Sequence, residues 1–133
     1  MREEIELAKQ WLAKAENDLL NADNNLAARN IPFDTVCFHC QQAAEKMLKA
    51  YLVANNMPYP FTHDLLVILE KILEVTDKAE HLRQTLIVLN PYAVEVRYPP
   101  TARYTPSADE AIEARKSAGQ IRQWLESACP ILF

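Results

Sequence analysis

The chain has 133 residues, a single glycine, 50% hydrophobic residues and a formal net charge of -4. A chain of this length can bury one hydrophobic core without metals or disulfides, so we expect a single domain over residues 1–133. One glycine disfavours both tight hairpin turns and glycine-rich phosphate loops. The negative charge excludes passive attraction to a phosphate backbone, so any contact with nucleic acid has to be local.

The three cysteines indicate a reducing compartment. Their odd number, with Cys37 and Cys40 only three residues apart, does not match the paired framework of a secreted mini-protein. Charged residues interrupt the first twenty positions, and no segment reaches the roughly 18 apolar residues that a membrane span requires. We therefore expect a cytoplasmic protein that has no membrane segment.

The first half of the chain predicts two long helices. Apolar residues recur at steps of three and four over residues 3–29, which is the pattern of an amphipathic helix: Ile5, Ala8, Leu12, Ala15, Leu19, Ala22 and Leu26. Pro32 ends this helix, and Asp34 can cap a second one over residues 34–55. The second helix is apolar around most of its circumference. We expect it to be central, with one side facing its own bundle and the other available to a second subunit.

The second half predicts a short helix, a broken helix and a final long helix. The short helix covers residues 63–74, and the next covers residues 78–97 with a break near Asn90, because Pro91 lacks an amide donor. Ser107 and Glu110 have the spacing of a capping box, which predicts the start of a last helix that runs to about Ala128. The sequence thus predicts an all-α, antiparallel up-down bundle of four main helices plus a short additional helix.

Cysteine and histidine raise the question of a metal site. Cys37 and Cys40 flank His39 within one helix, whereas structural zinc usually takes its paired cysteines from a turn. Free cysteine is also among the most frequently buried residues. We therefore expect no metal and no cofactor.

A polar strip follows the otherwise apolar second helix and consists of His39, Gln42, Glu45, Lys46 and Lys49. Residues 39, 42, 46 and 49 share one face by helical spacing. Such a strip either faces solvent or lines a cleft or a subunit interface, and the sequence leaves both interpretations open. Within it, His39 is the residue able to change charge near neutral pH.

A second group of polar residues lies around the proline-rich end of the fourth helix and contains Arg97, Tyr98, Arg103 and Tyr104. Arginines bind phosphate through charge-assisted hydrogen bonds, and tyrosines offer surfaces for base stacking. This is the minimal equipment of a nucleotide or single-stranded RNA site. The alternative is that these arginines only form salt bridges at a helix end.

Four segments together resemble the HEPN family of helical-bundle proteins. They are residues 11–19, residues 37–46, residues 62–65 and the run Arg97, Tyr98 and Pro99, and they follow the family's order over about 90 residues. The resemblance implies a helical bundle that commonly dimerises across a two-fold axis. It also implies three functions: a ribonuclease toxin, a companion of a small nucleotidyltransferase, or a bundle without activity.

The resemblance carries the family's nuclease motif onto residues 97–104. The motif arginine falls on Arg97 and the motif tyrosine on Tyr104, but the motif histidine falls on Ala102. Neither Thr101 nor Arg103 can shuttle a proton at neutral pH, which argues against nuclease activity. In family members paired with a nucleotidyltransferase, the partner modifies a tyrosine, which Tyr104 would supply here.

Three functional hypotheses follow. The preferred one is a homodimer that binds a nucleotide, RNA or a nucleotidyltransferase partner through Arg97, Tyr98, Arg103 and Tyr104, together with His39 and Gln42. The second is an active toxin ribonuclease that uses Arg97 with His39 or Tyr104 as an unconventional base. The third is a purely structural dimerising bundle.

Overall fold

The computed structural model describes residues 2–93 and 105–133, and all regular secondary structure in these two ranges is helical. The α-helices are α1 (Arg2–Leu26), α2 (Phe33–Ala54), α3 (Leu65–Leu73), α4 (Arg83–Leu89) and α5 (Ala108–Ala128). Short 3-10 segments cover Asp77–Leu82, Asn90–Ala93 and Pro130–Leu132. The prediction of an all-α fold is confirmed.

The long helices pack as an up-down bundle. Arg122 pairs with Glu16 and Arg115 pairs with Asp23, so α5 runs antiparallel to α1. Side chains of α2 meet α1 in the same reversed order, and α2 also packs against α3, α4 and α5. The centre of the bundle is therefore α2, as its sequence predicted.

Most predicted boundaries hold within a few residues. Helix α1 ends at Leu26, three residues before the predicted end, and the chain there closes with a turn between Ala28 and Asn25. Helix α3 begins at Leu65, because the Asp64 side chain accepts a hydrogen bond from the amide of Leu66. The predicted fourth helix, residues 78–97, is α-helical only over Arg83–Leu89, because Asp77–Leu82 forms a 3-10 segment instead. The geometry changes to 3-10 again at Asn90, where a break was predicted, and the extension beyond Ala93 lies outside the described residues.

One expectation about α2 is wrong. We expected its apolar surface to exceed what one chain can cover, but a single chain already buries it, because four other helices surround it. The buried apolar residues of α2 are Val36, Cys37, Cys40, Ala43, Ala44, Met47, Leu48, Ala50, Tyr51, Leu52 and Val53. The composition of α2 therefore gives no argument for a second subunit.

The predicted capping box at the start of α5 is confirmed. Ser107 Oγ accepts a hydrogen bond from the Glu110 amide at 3.1 Å, and Glu110 Oε1 accepts one from the Ser107 amide at 2.8 Å. We expect Ser107→Ala to lower the free energy of unfolding by about 1 kcal/mol, because an amide at the helix start loses its acceptor. Urea denaturation measures this loss. The control Ser127→Ala, at an exposed position of the same helix, should change it by less than about 0.5 kcal/mol.

Candidate functional site

The polar strip of α2 extends into the protein interior. Gln41, Glu45 and Lys49 are only 0%, 4% and 6% exposed, whereas His39, Gln42 and Lys46 are partly buried at its border. A charged residue is seldom buried without a partner, because desolvation costs several kcal/mol per ion. The solvent-facing interpretation of the strip is therefore wrong for Glu45 and Lys49, and the contacts of these residues define the site.

The first part of the site, the Asp18 cluster, joins α1 to α2 through Asp18, His39 and Lys46. Asp18 Oδ1 lies 2.8 Å from His39 Nδ1, and Asp18 Oδ2 accepts a hydrogen bond from Lys46 Nζ at 2.6 Å. The carboxylate side chain is 8% exposed, while those of His39 and Lys46 are 23% and 24% exposed. Asp18 thus holds an imidazole and an ammonium group in fixed positions at the edge of the solvent.

The second part, the Glu45 cluster, consists of Gln41, Gln42, Glu45, Lys49 and His63. Glu45 Oε2 accepts a hydrogen bond from Lys49 Nζ at 2.9 Å, and Glu45 Oε1 lies 2.8 Å from His63 Nδ1. Gln41 donates to the backbone carbonyl of His63 at 2.9 Å, and Gln42 donates to Gln41 Oε1 at 2.8 Å. The cluster therefore attaches the chain before α3 to the middle of α2.

Aromatic rings cover the buried ammonium of Lys49. Its Nζ lies 5.7 Å from the ring centre of Trp11 and 5.3 Å from that of Tyr59, and the two rings meet edge to face at 5.2 Å. Cation–π attraction and the ion pair with Glu45 together compensate the desolvation of this charge. Trp11 and Asp18 reach α2 from one face of α1, because they are seven residues apart.

The two cysteines of α2 belong to the core. Both are fully buried, and burial raises the pKa of each thiol to about 12. The Glu110 carboxylate contributes to the shift at Cys37, whereas the Arg115 guanidinium opposes it at Cys40. Within residues 2–93 and 105–133, no group of three or more histidine, cysteine or acidic residues is placed to hold a metal ion.

The structure brings together part of the predicted site. His39 belongs to the Asp18 cluster and Gln42 to the Glu45 cluster, on neighbouring turns of α2. The other predicted residues, Arg97, Tyr98, Arg103 and Tyr104, together with the substituted position Ala102, lie outside the described residues.

Sequence reasoning did not assign a site role to Asp18, Trp11 or Tyr59. Asp18 had a visible signal, because it is a charged residue that directly precedes Leu19 of the apolar seam of α1. The roles of Trp11 and Tyr59 depend on Lys49, which their rings cover from two different elements. No pattern within one segment could have predicted that arrangement.

Described residues on both sides of positions 94–104 interact with the first half of α2 or with the start of α3. Asn90 accepts a hydrogen bond from the Leu65 amide at 2.8 Å and donates one to Asp64 at 3.0 Å, beside His63. Tyr92 forms a side-chain hydrogen bond with Cys37, and the Glu110 carboxylate acts on the same thiol. Described residues on both sides of positions 94–104 therefore lie close to the polar strip.

The fold and the site define an all-α bundle whose central helix carries a largely buried polar strip. A family model, described as HEPN domain, matches residues 8–128. The chain belongs to the HEPN family, and the resemblance seen in its sequence is confirmed. Neither the curated proteins nor the solved structures give a significant match. Among the described helices, none combines the length and the apolar character needed to cross a membrane.

Proposed function

We propose that this HEPN protein binds a phosphate-bearing ligand, either a nucleotide or RNA, and acts as the companion of a small nucleotidyltransferase in a toxin–antitoxin-like module. HEPN domains are often nucleotide- or RNA-binding. The ligand surface consists of Arg97, Tyr98, Arg103 and Tyr104 together with His39 and Gln42. Tyr104 is the residue that the nucleotidyltransferase would modify.

One observation carries the binding proposal: Asp18 fixes His39 and Lys46 at the edge of the solvent. One of the three N–H groups of Lys46 is directed at Asp18, so the ammonium retains donors for a phosphate oxygen. A preorganised donor costs little conformational entropy when a ligand binds. These groups therefore complement the two arginines that the sequence supplies at positions 97 and 103.

The test of binding is Arg97→Ala. We expect it to lower the free energy of binding to RNA or a nucleotide by about 1.5 to 3 kcal/mol, because a charge-assisted hydrogen bond to phosphate is lost. Affinity should also fall as salt rises. Titration measures both effects. The control Arg2→Ala, at an exposed arginine beside the C-terminal end of α2, should bind like the wild type. Unchanged affinity of Arg97→Ala would contradict the binding site.

The second candidate is a ribonuclease. It is supported by the pair of Asp18 and His39, because a carboxylate on Nδ1 can orient the other ring nitrogen as a proton acceptor. Ala102 at the motif histidine argues against it. We expect no multiple-turnover RNA cleavage by the wild type, and cleavage that Arg97→Ala and His39→Ala both abolish would establish the second candidate instead.

The partner proposal is tested on the protein itself. When the chain is incubated with a nucleotidyltransferase encoded beside it and a nucleoside triphosphate, mass spectrometry should find a nucleotide adduct on Tyr104. Tyr104→Phe removes the acceptor hydroxyl and should prevent the adduct. The absence of a nucleotidyltransferase gene next to this one would favour the second or the third hypothesis.

We also propose a homodimer in a reducing cytoplasm. The dimer is supported by membership of a family that often dimerises, and the compartment by three cysteines that form no disulfide. A stable dimer should bury more than about 1,000 Å² in total. Sedimentation at tens of micromolar should give twice the 15.2 kDa chain mass. A monomer at that concentration would remove the dimer from the proposal.

A further inference from the structure

The loop between α2 and α3 presents an exposed aromatic ring. Phe61 is 96% exposed, although an aromatic side chain gains free energy by burial. Its ring meets Tyr59 edge to face at 5.9 Å, and Tyr59 in turn meets Trp11 at 5.2 Å. The three rings form a continuous series, the aromatic ladder, from the covered side of Lys49 to the solvent.

The loop that carries Phe61 is held in place at several points. Pro58 and Pro60 restrict its backbone on both sides of Tyr59. The side chain of His63 binds Glu45, and the backbone carbonyl of His63 accepts the hydrogen bond from Gln41. Phe61 is therefore an exposed ring on a restrained segment, which lowers the entropic cost of binding to it.

The aromatic ladder is connected to the described part of the proposed ligand surface. Phe61 lies two residues before His63. The His63 side chain contacts Glu45, which also accepts a hydrogen bond from Gln42 at 3.4 Å. Lys49, beneath Tyr59, is one helical turn from Lys46 of the Asp18 cluster. A ligand whose phosphate contacts Lys46 thus has an exposed aromatic ring nearby.

We propose that Phe61 is a stacking platform for a nucleobase of the phosphate-bearing ligand, with Tyr59 and Trp11 as its support. This inference rests on the proposed function and names the part of the ligand that the phosphate contacts do not recognise. An unpaired base stacks on an exposed aromatic ring whatever its identity, because every base has a π face. The segment 55–63 contains no acidic residue, and the carboxylate of the following Asp64 accepts hydrogen bonds from the Leu66 amide and from Asn90.

The surroundings of Phe61 favour a base over a protein surface. A protein interface needs a contiguous apolar core within roughly 800 Å² per partner. Phe61 is instead followed by Thr62, His63 and Asp64, of which the last two are exposed. An exposed ring that is followed by polar groups matches one flat base better than it matches a protein interface.

The experiment measures the binding of a short single-stranded RNA, of AMP and of inorganic phosphate to the full chain. We expect Phe61→Ala and Phe61→Leu to weaken RNA binding by roughly 5- to 150-fold, because stacking on the ring is lost. Phe61→Trp keeps a π face and should retain the affinity. Phosphate has no base, so its binding should not change in any of these variants. Ile112→Ala, at a 59% exposed position of α5, is the matched control for loss of apolar surface.

The outcomes separate the platform from the proposed function. If Arg97→Ala weakens RNA binding and Phe61→Ala does not, the platform is refuted and the phosphate site stands. If neither variant matters, both proposals fail. An equal loss for AMP and RNA supports a platform for a single nucleotide, and a loss for RNA alone supports a platform that only a strand can reach. A Phe61→Ala variant that changes the sedimenting mass but not RNA affinity would assign the ring to a protein contact and overturn the inference.

Discussion

Glu45→Gln is expected to lower the free energy of unfolding by about 3 to 5 kcal/mol, the typical cost of leaving one member of a buried ion pair without its partner. Glu45 and Lys49 are 4% and 6% exposed and are joined at 2.9 Å. The substitution keeps the shape of the side chain but removes the negative charge. Lys49 then remains buried between Trp11 and Tyr59 without an opposite charge, and urea denaturation measures the loss.

Two further variants identify the cause of that loss. The double variant Glu45→Gln with Lys49→Met should be more stable than Glu45→Gln alone, because methionine fills the space between the rings without a charge. Glu74→Gln breaks the exposed pair with Lys71, whose atoms are 3.4 Å apart, and should cost less than about 1 kcal/mol. If Glu45→Gln were no more costly than Glu74→Gln, the buried pair would not stabilise the fold.

Cys37 and Cys40 are expected to react with thiol reagents on the order of 1,000-fold more slowly in the native protein than in the unfolded chain, at about pH 8.5. The thiolate is the reactive form, and burial raises both pKa values to about 12. An ordinary thiol is about half ionised at that pH. Mass spectrometry after timed alkylation measures each site separately.

Cys129 serves as an internal reference for the alkylation experiment, because it is only partly buried, although burial raises its pKa as well. In urea that unfolds the chain, all three cysteines should react alike. Rapid native labelling of Cys37 would contradict its place in the core.

The same pKa shifts have a consequence for stability. The unfolded thiols ionise at about pH 8.5 while the native thiols stay protonated. The free energy of unfolding should therefore be unaffected by these groups below about pH 8 and fall as the pH rises toward 12.

The buried polar strip connects the stability of this protein with its proposed function. The Glu45 cluster stabilises the contact between α2 and the segment before α3, and the Asp18 cluster fixes His39 and Lys46 at the adjacent border. A substitution in the strip is therefore expected to alter folding as well as the proposed ligand binding. For this reason the binding tests use Arg97 and Phe61, and the stability tests use Glu45 and Ser107.

Local patterns in the sequence were sufficient to predict most of the helical elements. Recurrence at steps of three and four predicted α1, and the spacing of Ser107 and Glu110 predicted the start of α5. Pro91 predicted the change of geometry at Asn90. These signals depend on residues within one or two helical turns, so a single segment contains all the information that they need.

Contacts between distant segments decided which residues of α2 are buried. The sequence identified the polar strip of α2 but left its environment open. Whether Glu45 and Lys49 face water or the interior depends on Trp11, 38 residues before Lys49, and on His63, 18 residues after Glu45. The expectation of excess apolar surface on α2 failed for the same reason, because the number of helices around it is a property of the packed bundle. The sequence by itself determined the helices and the family, whereas only the tertiary structure decided which charges are buried and what compensates them, since burial depends on how all the helices pack together.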